Sequence, residues 1–372
     1  MKQLLQQLIA GASTSDNGER RVAETLAGFF ANMGILTELD VWDENRANLV
    51  AIFGKNDPQA PTLIFGSHLD VVPASPANWD TPPFEAVEKD GKMYGRGACD
   101  MQGGLCAAAQ ALADIAQSNT ALNGRVMFAA TAGEETDSCG VDRFIERYKD
   151  NIRHPVGIII PEPTGLDILR AHRGILWLKI ATHGKTAHGS MPHLGINAIE
   201  KANALLNRLN QYSIPHTPSE LLGGCSMSIN RIAGGSATNI VPESCSIELD
   251  IRTLPGQSRD AIIESLRDIC DELHGCDPDF KADISIIRAV DALETAADDP
   301  FAESVCSITG IGETKAAGFT TDGPAFQKLN APVLIFGPGD GSLCHKPNEY
   351  IEIAQMQRAR EMYQKLIAGL LV

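Results

Sequence analysis

The chain has 372 residues, 44% of them hydrophobic and 21% charged, with a formal net charge of −16. That length exceeds the size at which a single core keeps growing, so two domains are expected, and the composition excludes disordered, collagen-like and coiled-coil classes. The acidic balance argues against nucleic acid and against a membrane surface as partners, although a few arginines in a cleft still suffice to bind a small carboxylate.

At the N-terminus the apolar run of MKQLLQQLIAGAS is broken by glutamines, which predicts an amphipathic helix and not a signal peptide. Val22, Leu26, Phe29, Phe30 and Met33 fall at helical spacing, and Gly34 ends that helix before a short apolar strand. PTLIFGSHLDVV, GRVMFAATAGEE and HPVGIIIPEPT predict buried strands, with QGGLCAAAQALADIA a small-residue helix between the first two. Buried strands alternating with helices imply an α/β domain with a mostly parallel sheet covered on both faces.

From Gly174 the texture changes. WLKIATHGKTAHGS, SMSINRIAGG and CSIELDIRTLP alternate polar with apolar residues, and INAIEKANALLNRLNQY predicts a helix, so an α+β domain with an antiparallel sheet is expected. After about Ala289 the apolar style returns in APVLIFGPGD, followed by a last helix from Ile353 to Leu370. The expectation is an α/β domain of residues 1–173 and 290–372 interrupted by an inserted domain of residues 174–289. No stretch approaches the roughly eighteen apolar residues of a membrane span. The nine cysteines are odd in number and scattered, which suits reduced thiols in a cytoplasmic protein.

Residues able to coordinate a metal fall at the C-terminal ends of the predicted strands, where open α/β sheets place their sites. His68 and Asp70 are two apart on a strand, so the carboxylate is expected to orient the imidazole; a packing pair is the plainer alternative. Asp100, among glycines before a helix, reads on its own as an N-cap first, and otherwise as a carboxylate able to bridge two cations. Glu134 and Glu135 end an apolar strand side by side, where their repulsion calls for a cation or for solvent. Such a pair can divide labour, Glu135 coordinating and Glu134 accepting a proton. Glu162 is stiffened between Pro161 and Pro163, and His345 ends a glycine-rich loop; each taken alone is more readily a capping or surface residue than a ligand. Together they form a mixed nitrogen and oxygen donor set that suits Zn, with Co or Mn also fitting.

Through GSHLDVVP, YGRGACDMQGG, AGEE, PEPT, RG, AHGSMP, TNIVP, DIRTLPG, TTDG and HKPNEY the sequence resembles the co-catalytic metallopeptidase family. That family contains succinyl-diaminopimelate desuccinylase, acetylornithine deacetylase, aminoacylase-1 and glutamate carboxypeptidase of the carboxypeptidase G type. The resemblance implies two divalent ions, one held by His68 and Glu162, the other by Glu135 and His345, with Asp100 bridging them and a cis peptide at Asp100–Met101. It implies Asp70 as a clamp on His68, Glu134 as general base and His188 as an oxyanion donor reaching a partner subunit's site. Asn239, Arg252 and, more loosely, Arg173 match positions that bind the substrate; for Arg252 a strand-end salt bridge is the alternative. The implied enzyme is a metal-dependent amidohydrolase removing an acetyl or succinyl group from an N-acyl amino acid, in which a water activated by the metals attacks the amide. An exopeptidase acting on dipeptides or tripeptides is the alternative, and a non-catalytic binding relative a third reading. The inserted domain would act as a lid and form a homodimer. Two departures bear on the substrate: Gln102 stands where lysine is usual, and HRGILW lacks the paired arginines and serine of dedicated desuccinylases.

Overall fold

The computed structural model describes residues 1–118 and 120–372, which divide into two compact units. The first comprises Met1–Ala171, Glu294–Ala317 and Thr321–Val372, the second His172–Leu293 and Gly318–Thr320.

A nine-stranded sheet is the framework of the first unit. From one edge its strands run Leu36–Val41, Ala47–Gly54, Arg125–Thr131, Pro61–His68, His154–Ile160, Val333–Ile335 and Ile168–His172, with two short strands beyond. The four from Arg125–Thr131 to Val333–Ile335 are mutually parallel, and antiparallel neighbours flank them on both sides. The parallel strands are the near-continuous apolar runs of the sequence because both sheet faces are covered. Successive side chains show this directly. Phe65 packs edge-on against Tyr363 of helix Ile353–Leu371 at 5.3 Å, whereas the Cα of Gly66 faces the ring of Phe326, where an added Cβ would come within 2.6 Å. Phe326 packs in turn on Phe144 of helix Cys139–Tyr148. Helix Gln102–Gln117, rich in alanine, packs beside the last helix, and both contribute to one contiguous core with Leu26 and Phe30. The last helix ends at Leu371, one residue beyond the predicted boundary.

A small antiparallel sheet of Tyr350–Glu352, Lys92–Tyr94 and Val87–Lys89 brings the segment before Asp100 alongside the segment after His345. The sequence pattern does not foretell it.

In the second unit four strands are all antiparallel, in the order Ser226–Gly234, Ser244–Thr253, Gly174–His183 and Lys281–Val290. Burial alternates along Ser244–Thr253, so that Cys245, Ile247, Leu249 and Ile251 face the core formed with helices Ala198–Leu209 and Arg259–Cys276. Each helix starts at a side-chain cap: Asn197 accepts from the amides of Ile199 and Glu200, and Ser258 from that of Ala261. Among the described residues no helix is long and apolar enough to cross a membrane.

Candidate metal centre

Neighbouring parallel strands lie about 4.8 Å apart, so residues at their carboxyl ends are neighbours in space however far apart in sequence. His68 is the last residue of Pro61–His68, Glu134 and Glu135 follow Arg125–Thr131, Glu162 follows His154–Ile160, and His345 lies in the loop after Val333–Ile335. Asp100 directly precedes the turn into helix Gln102–Gln117, and its peptide bond to Met101 is cis, as the resemblance implies.

These side chains converge. Asp100 Oδ1 lies 3.3 Å from His68 Nε2, and Asp100 Oδ2 lies 3.2 Å from His345 Nε2. Glu162 Oε1 approaches His68 Nε2 at 3.5 Å, and Glu135 Oε1 approaches His345 Nε2 at 2.9 Å. One carboxylate thus stands between two histidines, each with its own glutamate. Donor atoms of His68, Asp100 and Glu135 all lie within 4.8 Å of one another. The arrangement is asymmetric, since the side chain of His68 is 2% exposed and that of His345 52%.

Asp70 lies against His68 and also binds the turn that follows the neighbouring strand. His68 Nδ1 lies 2.9 Å from the backbone carbonyl of Asp70, and the Asp70 carboxylate is farther, at 3.6 Å. The carboxylate accepts from the amides of Gly133, Glu134 and Glu135 at 2.9, 3.1 and 2.9 Å. The strand ends at His68, so Asp70 lies past the end of the pleat. The main chain of Asp70 orients His68, while the side chain shapes the turn that carries both glutamates.

The electrostatics are those of crowded acids. Burial pushes the Glu134 carboxyl well up, and the charges of Asp322, Glu162 and Glu135 add to that against the opposing pull of His68. Burial and the charge of Asp100 raise Glu162 to about 7. Burial opposes ionisation of both His68 and Asp100, yet their hydrogen bonding holds the imidazole up and the carboxylate down. His345, bonded to Asp100 and Glu135, is raised to about 10. Buried carboxylates so placed require compensating positive charge, and oxygen and imidazole donors arranged around a shared carboxylate fit divalent cations. The donor set therefore suits a metal centre.

Three further residues border the site, and each lies in a stretch that carries the resemblance, Arg96 in YGRGACDMQGG, Asp322 in TTDG and Glu349 in HKPNEY, although none is singled out there. Asp322 is buried beside it, raised to about 7 by burial with the charge of Asp70 adding to the effect. Glu349 and Arg96 form a buried ion pair, and Glu349 Oε1 accepts from the amides of Cys99 and Asp100. All three lie in loops, where no periodicity reports burial.

The remaining expected site residues lie in the second unit. His188 Nδ1 is 2.8 Å from Ser190 Oγ, and its segment pairs with that of Asn239, whose carbonyl accepts from Gly189 at 2.7 Å. Arg252 pairs with Asp250 at 2.8 Å, and Arg173 donates to the carbonyl of Leu222 at 3.0 Å through Nε. Each guanidinium thus has a partner within its own unit.

The description "Peptidase family M20/M25/M40" fits residues 64–369 of the chain. The protein belongs to this family. It is 31% identical over 401 aligned positions to a probable succinyl-diaminopimelate desuccinylase of Staphylococcus aureus (strain MSSA476), covering 96% of this chain and 93% of that one. It is 30% identical over 335 positions to an acetylornithine deacetylase of Myxococcus xanthus, covering 89% and 86%. An M20 family metallo-carboxypeptidase of Sulfolobus solfataricus shares the fold, with a TM-score of 0.80 at 19% identity over 99% of this chain and 98% of that one. The protein is accordingly an M20 metallohydrolase, and the His68, Asp100, Glu135 cluster is its candidate metal-binding group.

Proposed function

We propose that the protein is an N-acyl-amino-acid deacylase that removes an acetyl or succinyl group, with two divalent ions, zinc in the first place, held by His68 and Glu162 and by Glu135 and His345, and with Asp100 shared between them. The observation that carries this reading is the Asp100 carboxylate, one oxygen 3.3 Å from His68 and the other 3.2 Å from His345. Bound ions would neutralise the buried carboxylates, acidify a water and polarise the scissile carbonyl.

The chain's own groups then have defined tasks. Asp70 fixes the Gly133–Glu135 turn and so sets where the Glu134 carboxylate points. Glu134 takes a proton from the attacking water and returns it to the departing nitrogen, so that the C–N bond breaks to a carboxylate and a free amine. His188 is assigned to the oxyanion, and Arg252, Asn239 and Arg173 to the substrate's carboxylate and backbone; a guanidinium suits a carboxylate through its paired donors. The choice of an acyl amino acid over a peptide is supported by the relatives named as desuccinylase and deacetylase, each about 30% identical over most of the chain.

We further infer a homodimer formed through the second unit, which exposes Leu194, Ile232, Ile240, Ile286 and Ile287, each more than 40% accessible. The nine free thiols suit a reducing compartment, and we place the protein in the cytoplasm.

The test is to assay zinc- and cobalt-loaded protein against N-acetylornithine, N-succinyl-diaminopimelate and a panel of dipeptides and tripeptides. The highest kcat/KM is expected for an N-acyl amino acid. A peptide preferred by an order of magnitude would replace this reading with the exopeptidase one, and no hydrolysis of any substrate by metal-loaded protein would favour a binding relative.

A further inference from the structure

Asp100 and His345 lie in loops about 245 positions apart in sequence, a distance at which only tertiary contacts can fix their spacing. The contacts are few and specific. Glu349 Oε1 accepts from the amide of Cys99 at 2.8 Å and from that of Asp100 at 3.1 Å. Its other oxygen pairs with Arg96 Nη1, and Arg96 Nη2 donates to the carbonyl of His345 at 3.3 Å. Both side chains are nearly inaccessible, Arg96 at 4% and Glu349 at 0%.

The clasp is anchored on either side. The Arg96 guanidinium lies 5.3 Å from the centre of the Trp79 ring, and Asn348 exchanges two hydrogen bonds with Asp80, at 2.8 and 3.1 Å. His345 and Asn348 both have positive φ, at 64° and 59°, a conformation side chains rarely adopt unless surrounding contacts impose it. The Arg96 bond to the His345 carbonyl is one such contact. A buried ion pair is weak evidence of added stability, since the desolvation of both charges offsets their attraction. Here its distinguishing feature is what each partner also holds: one the amide of Asp100, the other the carbonyl of His345.

We propose that Arg96 and Glu349 are positioning residues that hold Asp100 and His345 at the spacing needed to bind two ions. This rests on the two-ion reading above. Arg96 acts on His345 and therefore on one ion; Glu349 acts on Asp100, which serves both.

The experiment is calorimetric titration of chelator-treated protein with Zn²⁺, comparing wild type with Arg96→Lys, Glu349→Ala, Glu349→Gln and a control, Tyr363→Phe. The control removes a buried hydrogen bond to the Phe336 carbonyl, at the strand end of the His345 loop and outside the Arg96–Glu349 clasp. Supporting contacts around metal ligands typically govern about 10- to 100-fold in affinity. Arg96→Lys is expected to weaken one zinc equivalent about tenfold and leave the other nearly unchanged. Glu349→Ala is expected to weaken both, and Glu349→Gln, which keeps an oxygen to accept from the two amides, to fall between Ala and wild type. Circular dichroism of the metal-free variants checks folding, and if Glu349→Ala does not fold, the lysine and glutamine variants carry the test. Wild-type affinities in Arg96→Lys and Glu349→Gln, or equal weakening in Tyr363→Phe, would overturn the proposal with the two-ion reading intact. A wild type that binds only one equivalent would instead overturn that reading and this inference with it.

Discussion

The amide of Glu134 donates to the Asp70 carboxylate at 3.1 Å, so the proposed general base is set in place by a residue that follows a neighbouring strand. With Gly133 and Glu135 bonded to the same carboxylate, Asp70→Ala releases three amides at once. Activity is expected to fall about 100-fold, at the upper end of what supporting contacts around a metal site contribute. Asp70→Asn, which keeps one oxygen acceptor, should lose less. Steady-state kinetics on the best substrate checks this, and Asp70→Ala within twofold of wild type would contradict it.

Glu134→Gln preserves the shape of the side chain and removes its capacity to accept a proton. A general base contributes about 10²- to 10⁴-fold, so kcat should fall by at least the lower figure. Metal content, measured by elemental analysis after gel filtration, should match wild type. Loss of metal in this variant would instead place Glu134 among the ligands.

Gly104, in the first turn of helix Gln102–Gln117, faces the carbonyl of Pro161, and an added Cβ would lie 1.8 Å from that oxygen. Gly104→Ala must therefore push the helix away from the segment carrying Glu162. Overpacking of this kind costs about 1 to 3 kcal/mol, and because Asp100 and Glu162 border the two displaced segments, zinc affinity should fall as well. Urea denaturation and zinc titration of the same variant test both effects; unchanged values in both would show that the contact yields without consequence.

His172 is fully buried, and burial lowers its pKa from 6.5 to about 4. The unfolded chain binds a proton at this residue between pH 6.5 and 4 that the folded chain does not, so stability declines as pH falls through that window and is unaffected above it. At pH 5 the loss is about 2 kcal/mol relative to pH 7.5. In metal-free protein, His172→Gln should show a shallower decline than wild type by that amount. Parallel pH profiles for the two proteins would remove His172 as the source.

The legible parts of the fold are those where a periodic pattern coincides with burial. PTLIFGSH and HPVGIII are apolar without alternation because both faces of the sheet are covered, and each such run ends at a potential donor, which made the convergence of His68 and Glu162 readable. Strand Lys281–Val290 shows the opposite case. Burial alternates over residues 281–285, but the pairing shifts register between Ile286 and Arg288 and the adjacent Ile286 and Ile287 are both about half exposed, so the alternation is too short to mark the strand. Asp70 was legible as a partner of His68 but not as the organiser of the Gly133–Glu135 turn, because its side chain lies past the end of the pleat. Asp322, Arg96 and Glu349 lie within motifs that carry the resemblance, but their contacts were not legible: the partners are distant in the chain, up to 253 positions for Arg96 and Glu349, and no local pattern encodes such a pairing.

Strand Val333–Ile335 sits between His154–Ile160 and Ile168–His172, so a stretch made late in synthesis is wedged between two made early. The earlier two strands cannot complete their pairing across this position until that stretch is made. A chain terminated before it would present two open β edges and lack His345 altogether. Premature stops after His172 and before Val333 should therefore yield sticky, inactive fragments.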